Sequence, residues 1–211
     1  MLFGRELIDQ FPVRKSKKQK AAFREAVLAF GAARGYTGRV ETGMFGARNV
    51  VFGDPEQAAY LLTAHYDTCA RLPFPNFITP CHIGIYLLYQ LLICAVLILI
   101  PSILGGTVGA LLRSPLAGTL VAEACFVLLF CLLLCGPANP SNANDNSSGV
   151  LTVLDLMASL PEAQRAQVCF VLFDLEEAGL WGSASYRKAH RKASQTQLVL
   201  NFDCVGDGDH L

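Results

Sequence analysis

Between Pro73 and Asn144 the chain carries only two formal charges, Arg113 and Glu123, and this apolar block lies in the middle of the sequence rather than at an end. Ile83 to Ile100 has no charge at all, and as a helix it would span about 27 Å, close to the thickness of a bilayer core. Leu116 to Gly136 is a second stretch of this kind. Its leucines, valines and phenylalanines favour insertion by on the order of 3 to 7 kcal/mol, against about 3 kcal/mol for one central acid such as Glu123. Two spans joined by the segment Ser102 to Pro115 as the turn return the chain to the side it left. The block therefore reads as a transmembrane helical hairpin, with a buried apolar helix pair in a soluble domain as the alternative. His82 would mark the membrane interface. Glu123 inside a span is a functional candidate by default, with snorkelling or a helix–helix contact the simpler reading. The expected organisation is a first domain part at 1–72, the hairpin at 73–136 and a continuation of the same domain at 137–211, with the lipid bilayer as one partner.

The flanks carry balanced charge, 17 basic against 17 acidic residues over the whole chain. This excludes the clustered basic excess that a nucleic-acid partner requires. Met1 to Gln10 contains Arg5, Glu6 and Asp9 and no apolar core of a secretory signal, so the flanking domain is expected in the cytosol. The eight cysteines are scattered with no C-x-x-C pair, which argues against a zinc ribbon. They read as small hydrophobes rather than a disulfide framework, with Cys204 left between a packing role and a ligand because it follows Asp203.

Ser16 is placed to cap a helix carrying Phe23, Val27 and Phe30 at helical spacing. The basic run from Arg14 to Lys18 at its start reads either as a solvated helix end or as a contact with anionic lipid headgroups. Strands are expected at 49–52 and 59–63, around the turn Gly53-Asp54-Pro55. A helix capped by Ser147 or Ser148 follows the apolar block. After it come a fully apolar strand at 168–173, a helix from about Gly179 to His190, and a strand at 198–202. The fold class is therefore α/β, a three-layer α/β/α arrangement with a mostly parallel mixed sheet, interrupted by the hairpin.

In such sheets ligands gather at the carboxyl ends of strands, where His65, Glu176, Glu177 and Asp203 are all expected. His65 and Asp67 share a direction in an extended chain, so one can bind a metal while the other orients it. Asp145 lies in the turn-forming run Asn144-Asp145-Asn146-Ser147-Ser148-Gly149, where helix capping or an Asx-turn is an equal alternative. Glu176 and Glu177 would repel each other unless something positive divides them; the alternative is a solvated acidic turn. A metal could take one carboxylate while the other acts as general base toward water.

In this order, H-x-D, N-D-N-x-S-G, D-x-E-E-x-G-x-x-G-S and N-x-D resemble the bacterial leucyl aminopeptidase-type family of co-catalytic zinc exopeptidases, which includes glutamate carboxypeptidase-like and glutaminyl cyclase relatives. The resemblance covers roughly residues 10–71 and 137–211. It implies that His65, Asp145 and Asp203 hold one zinc, and that Asp145 and Glu177 hold a second. It further implies that Glu176 is the base, that Asp67 supports His65, and that the Asp145-Asn146 peptide is a candidate cis bond.

Two departures accompany it. The hairpin occupies what the family keeps as a short loop between His65 and Asp145, and the family's last zinc ligand is a His on a later loop. His210 is a weak stand-in for it, and His190, after a basic helix turn, is expected to face solvent. The expectation is an N-terminal part of a membrane-tethered zinc aminopeptidase acting on peptides, holding about one zinc tightly. The alternative is a non-catalytic membrane scaffold that retains an incomplete peptidase shell. The preferred N-terminal residue, the physiological metal and the oligomeric state stay open.

Overall fold

A computed structural model describes residues 4–71, 82–191, 193 and 195–206. They form two compact units, one made of the chain up to Cys69 and from Ala138 onward, the other of Ala70–Pro137. The first unit contains α1 (Arg5–Gln10), α2 (Lys17–Ala32), β1 (Gly38–Thr42), β2 (Arg48–Phe52) and β3 (Tyr60–His65). The second contains α3 (Ile83–Leu111) and α4 (Pro115–Cys135). The chain then returns to the first unit as α5 (Gly149–Ser159), β4 (Val168–Phe173), α6 (Trp181–Ala189) and β5 (Leu198–Asn201).

Five strands build one mixed sheet in the order β1-β2-β4-β3-β5. β3 runs parallel to both β4 and β5, while β1 and β2 extend the sheet antiparallel. Side-chain alternation splits the core in two. Val50, Phe52, Phe170 and Leu172 point into a layer filled by Phe23 and Val27 of α2 and by Val150, Val153, Leu154 and Met157 of α5. Val51, Cys169 and Val171 point the other way, against Tyr186 of α6. The fold is therefore α/β with helices on both sheet faces, as the strand–helix alternation implies. β4 lies between β2 and β3 and is buried over Val168–Leu172, which is why its sequence is an unbroken apolar run. β5, at the sheet edge, stays exposed along its length.

Ser16 caps α2 as expected: its hydroxyl accepts from the Gln19 N–H, and the Gln19 side chain accepts from the Ser16 N–H. The basic run divides: Lys17 and Lys18 are exposed in the first turn of α2, as a solvated helix start implies, while Arg14 departs from both expected readings. Arg14 is fully buried. Its Nε donates to the Tyr66 carbonyl at 2.6 Å, and its terminal nitrogens donate to the Phe11 carbonyl at 2.8 Å and to Ser147 Oγ at 2.9 Å. Lys20 and Arg24 on α2 are buried as well. Lys20 pairs with Asp174 at 2.6 Å, and Arg24 donates to the Tyr66 hydroxyl at 2.8 Å. Cations adjoining and within α2 thus fasten it to the strand ends.

The second unit is a helical hairpin. Ser114 caps α4 by accepting from the Ala117 N–H, and Pro115 takes the first helical position. The two helices meet at small residues: a side chain added at Gly105 would strike the Gly118 carbonyl and Ala122, so glycine there lets the backbones touch. Both helices are long and apolar enough to cross a membrane, and only 6% of each apolar window is buried. A core helix pair in a soluble domain would be covered, and this one presents leucine, isoleucine and phenylalanine on its outside. Glu123 is exposed on α4.

Candidate metal centre

The carboxyl ends of the three parallel strands and one turn before α5 bring the acidic residues to His65. β3 ends on His65, β4 leads into Glu176 and Glu177, β5 leads into Asp203, and the irregular turn Ala143–Ser148 before α5 carries Asp145. His65 is buried, its side chain 3% exposed. Its Nε2 lies 3.2 Å from Asp145 Oδ1, 3.7 Å from Asp203 Oδ1 and 3.9 Å from Glu176 Oε2. His65, Asp145 and Asp203 form one trio of convergent ligand atoms, and His65, Glu176 and Glu177 form another. Asp145 also faces Glu177 in a third trio, completed by Cys69.

Asp67 sits behind this cluster. Its Oδ1 comes 3.5 Å from His65 Nδ1, a buried nitrogen that lacks a hydrogen bond. The same carboxylate accepts from the N–H of Glu176 at 3.1 Å and of Glu177 at 3.2 Å, so Asp67 clamps the acidic loop as well as flanking the imidazole. Leu175, just before the two glutamates, and Cys204, just after Asp203, both take φ of 53°. This left-handed conformation is costly for non-glycine residues and concentrates at functional loops.

Asn146 ties the segments together. Its amide nitrogen donates to the Phe202 carbonyl at 2.9 Å, and its oxygen accepts from the Gly149 N–H at 3.0 Å. The side chain that serves the start of α5 is thus Asn146, not Asp145, which leaves the Asp145 carboxylate to the cluster. Ser148 stands at the helix start without capping it, and Ser147 receives Arg14 instead. The Asp145-Asn146 peptide is cis. A side chain added at Gly149 would meet the Phe202 carbonyl and the Asn146 amide. Gly149→Ala is therefore expected to cost about 1–3 kcal/mol by overpacking and, by displacing Asp203 and Asp145, to weaken zinc binding by about tenfold or more. Thermal melts and competitive zinc titration check both effects.

The electrostatics calls for a cation. Burial pushes Glu177 up to about 8, with Asp145 adding to the shift. Burial also raises Glu176, and Asp67, Asp203 and Asp145 reinforce this against the opposing pull of His65. On His65 burial acts downward, but the facing carboxylates of Asp145, Asp203 and Asp67 outweigh it and raise the imidazole far above its usual range. Hydrogen bonding to His65 lowers Asp203 against the effect of its own burial. Among the described residues no Lys or Arg forms an ion pair with any of the five carboxylates. Glu177 Oε1 is buried and has no hydrogen-bond partner among the described residues. The cluster thus attracts a proton to His65 where a divalent ion would supply the missing positive charge. One imidazole with several carboxylates is a donor set that zinc accepts.

His190 is not the solvent-facing residue its basic helix turn suggests. It is held by Glu41 Oε2 at 2.9 Å and Glu56 Oε1 at 3.2 Å, and these contacts lie outside the His65 cluster. His210 lies outside the described residues. Asp174, the first acid of the D-x-E-E run, takes the Lys20 ammonium and accepts from the N–H groups of Leu175 and Arg48. It shapes the loop rather than joining the cluster.

The sequence signature of Peptidase family M28 matches residues 132–211, which include Asp145, Glu176, Glu177 and Asp203 but not His65 or Asp67. No curated protein and no solved structure matches the chain. The signature match supports a zinc-dependent metallopeptidase of the broad M28 kind.

Proposed function

We propose that the chain is a membrane-tethered zinc aminopeptidase that hydrolyses N-terminal peptide bonds. The observation that carries this reading is the convergence of His65, Asp145, Asp203, Glu176 and Glu177 where the parallel strands end. His65, Asp145 and Asp203 would hold one zinc. Asp145 would be shared with a second, beside Glu177. When bound, zinc supplies Lewis acidity and makes water nucleophilic near neutral pH.

Glu176 is the base. It is the more open of the two glutamates, its side chain 30% exposed, and its raised proton affinity moves it toward the range where a carboxylate works best as a general base. Its Oε2 takes the proton of the attacking water and returns it to the leaving amine. Asp67 holds the Glu176 backbone in place and orients His65.

The hairpin serves as the tether, and because it both leaves and re-enters the peptidase unit, the two halves of the site share one side of the membrane. The cytosolic side fits Arg71, shortly before the hairpin in sequence. Expressed chain is expected to sediment with membranes and to resist alkaline extraction, and deletion of 83–136 with a short linker to release soluble protein. Recovery of intact chain as a detergent-free soluble monomer would contradict the tether.

The activity test uses purified chain in detergent with matched peptides, one set with a free N-terminus and one acetylated. Cleavage restricted to the free set, abolished by a chelator and restored by zinc, is the expected result. Equal cleavage of both sets would overturn the aminopeptidase assignment, and zinc binding without turnover would favour the scaffold reading.

A further inference from the structure

We infer that Lys20 is a positioning residue for Glu176, acting through Asp174 and the left-handed turn at Leu175. This rests on the reading of Glu176 as the base and adds to it a residue of α2 that lies outside the motifs and outside the signature match, which begins at residue 132. The helix aims the ammonium. With Ser16 as the cap, Lys20 shares one face of α2 with Phe23, Arg24 and Val27, and all four are buried. A lysine on such a face is costly to desolvate unless it meets a carboxylate. Asp174 supplies one at 2.6 Å, with the two side chains only 9% and 2% exposed.

Asp174 in turn shapes the chain that carries the base. Its Oδ1 accepts from Lys20 and from the Leu175 N–H at 2.9 Å, and its Oδ2 accepts from the Arg48 N–H at 3.0 Å. Leu175 takes φ of 53°, which a leucine keeps only where its surroundings over-determine it. Here they do. Its N–H is held by Asp174, and its carbonyl accepts from the Trp181 N–H at 3.1 Å. Glu176 is the next residue, and Asp67 accepts from its N–H at 3.1 Å. The base is therefore aimed from two sides, by Asp67 after β3 and by Asp174 after β4.

Removing the ammonium leaves the Asp174 carboxylate buried without its counter-charge. The carboxylate then turns away, and the Leu175 N–H loses the acceptor that holds the left-handed turn. Asp67 still grips the N–H groups of Glu176 and Glu177, and no metal ligand is deleted. What is lost is the fixed direction of the Glu176 side chain, an interaction that matters in the transition state more than in substrate binding.

The test compares Lys20→Met and Lys20→Gln, made in the full chain in detergent, with Lys17→Met, whose side chain is exposed in the first turn of α2. Lys20→Gln keeps a neutral donor and serves where the methionine variant does not fold. Amide hydrogen exchange without substrate is expected to quicken by about tenfold or more over residues 174–177 in the Lys20 variants, and to stay unchanged within β4. Lys17→Met should match the unaltered chain. In the zinc-loaded protein kcat should fall by about tenfold or more, with KM and zinc content within about twofold. Lys20→Arg keeps a charged donor for Asp174 and should recover most of both effects. Unchanged exchange over 174–177 in folded Lys20 variants would overturn the inference. So would exchange that rises throughout β4 while kcat, KM and zinc content shift together, the pattern of a pair that only stabilises the fold. Turnover surviving in Glu176→Gln would overturn the base reading instead, and the exchange data would still decide whether Lys20 holds the loop.

Discussion

Glu176→Gln is expected to lower peptide hydrolysis by about 10²–10⁴-fold, the range a positioned general base contributes, and to leave zinc content unchanged. The amide occupies the same volume, and the Glu176 backbone N–H that Asp67 accepts is untouched, so the loop should keep its shape. What disappears is the group proposed to take the proton from water. Glu177→Gln should behave in the opposite sense. Its buried carboxylate faces Asp145 and Cys69, so its loss should appear first as weaker zinc binding. Steady-state kinetics combined with metal analysis of both variants separates the roles. Substantial turnover in Glu176→Gln, or loss of zinc from it, would show that the two glutamates have been assigned the wrong way round.

The second large effect is on stability. Arg14→Met should destabilise the folded chain by about 3 kcal/mol or more, because it leaves the Tyr66 and Phe11 carbonyls and Ser147 Oγ without their donor in a buried site, at about 1–3 kcal/mol for each unsatisfied group. Burial lowers the Arg14 pKa to about 10, partly offset by Asp67, so the guanidinium stays charged at neutral pH. Removing a buried cation relieves some desolvation, which keeps the net cost below the full sum. Arg14→Lys should restore little, since an ammonium cannot fork to three acceptors held in these directions. Tyr66 lies between His65 and Asp67, and Ser147 lies two positions after Asp145. The variant should therefore loosen the metal centre as well as the fold. An unfolding free energy from denaturant titration within about 1 kcal/mol of the unaltered chain would contradict the structural role.

Much of the architecture was readable from pattern alone. The buried run at 168–173 could only be a strand covered on both faces, and the polar residues after each apolar segment marked where strands end. β1 and α1 were not legible, since Gly-Arg-Val-Glu-Thr is a short edge strand without a clear apolar face, and Arg5–Gln10 is too brief for a periodic signal. The sheet explains how the acidic groups converge. Parallel pairing sets His65 against Phe173 and Thr63 against Asn201, so residues far apart in sequence emerge side by side.

The burial of Arg14, Lys20 and Arg24 had no local signature. A basic run beside a helix looks solvated until its partners are known, and those partners, Ser147, Asp174 and Tyr66, lie elsewhere in the chain. Cys69 was hidden for the same reason. Its nearness to Glu177 follows from the β3–β4 register and not from any motif, and a lone cysteine after a strand reads as packing. His190 looked exposed because its helix ends in Arg187 and Lys188, whereas the glutamates that hold it come from β1 and from the turn after β2.

Zinc content against the shared carboxylate tests the central claim most directly. Purified chain, dialysed against trace zinc and analysed for metal, should retain zinc, and Asp145→Ala should lose most of it while its far-ultraviolet circular dichroism stays unchanged, because Asp145 faces His65, Glu177 and Cys69 at once. Equal zinc in the two proteins, or none in the unaltered chain, would contradict a metal centre built on His65, Asp145 and Asp203.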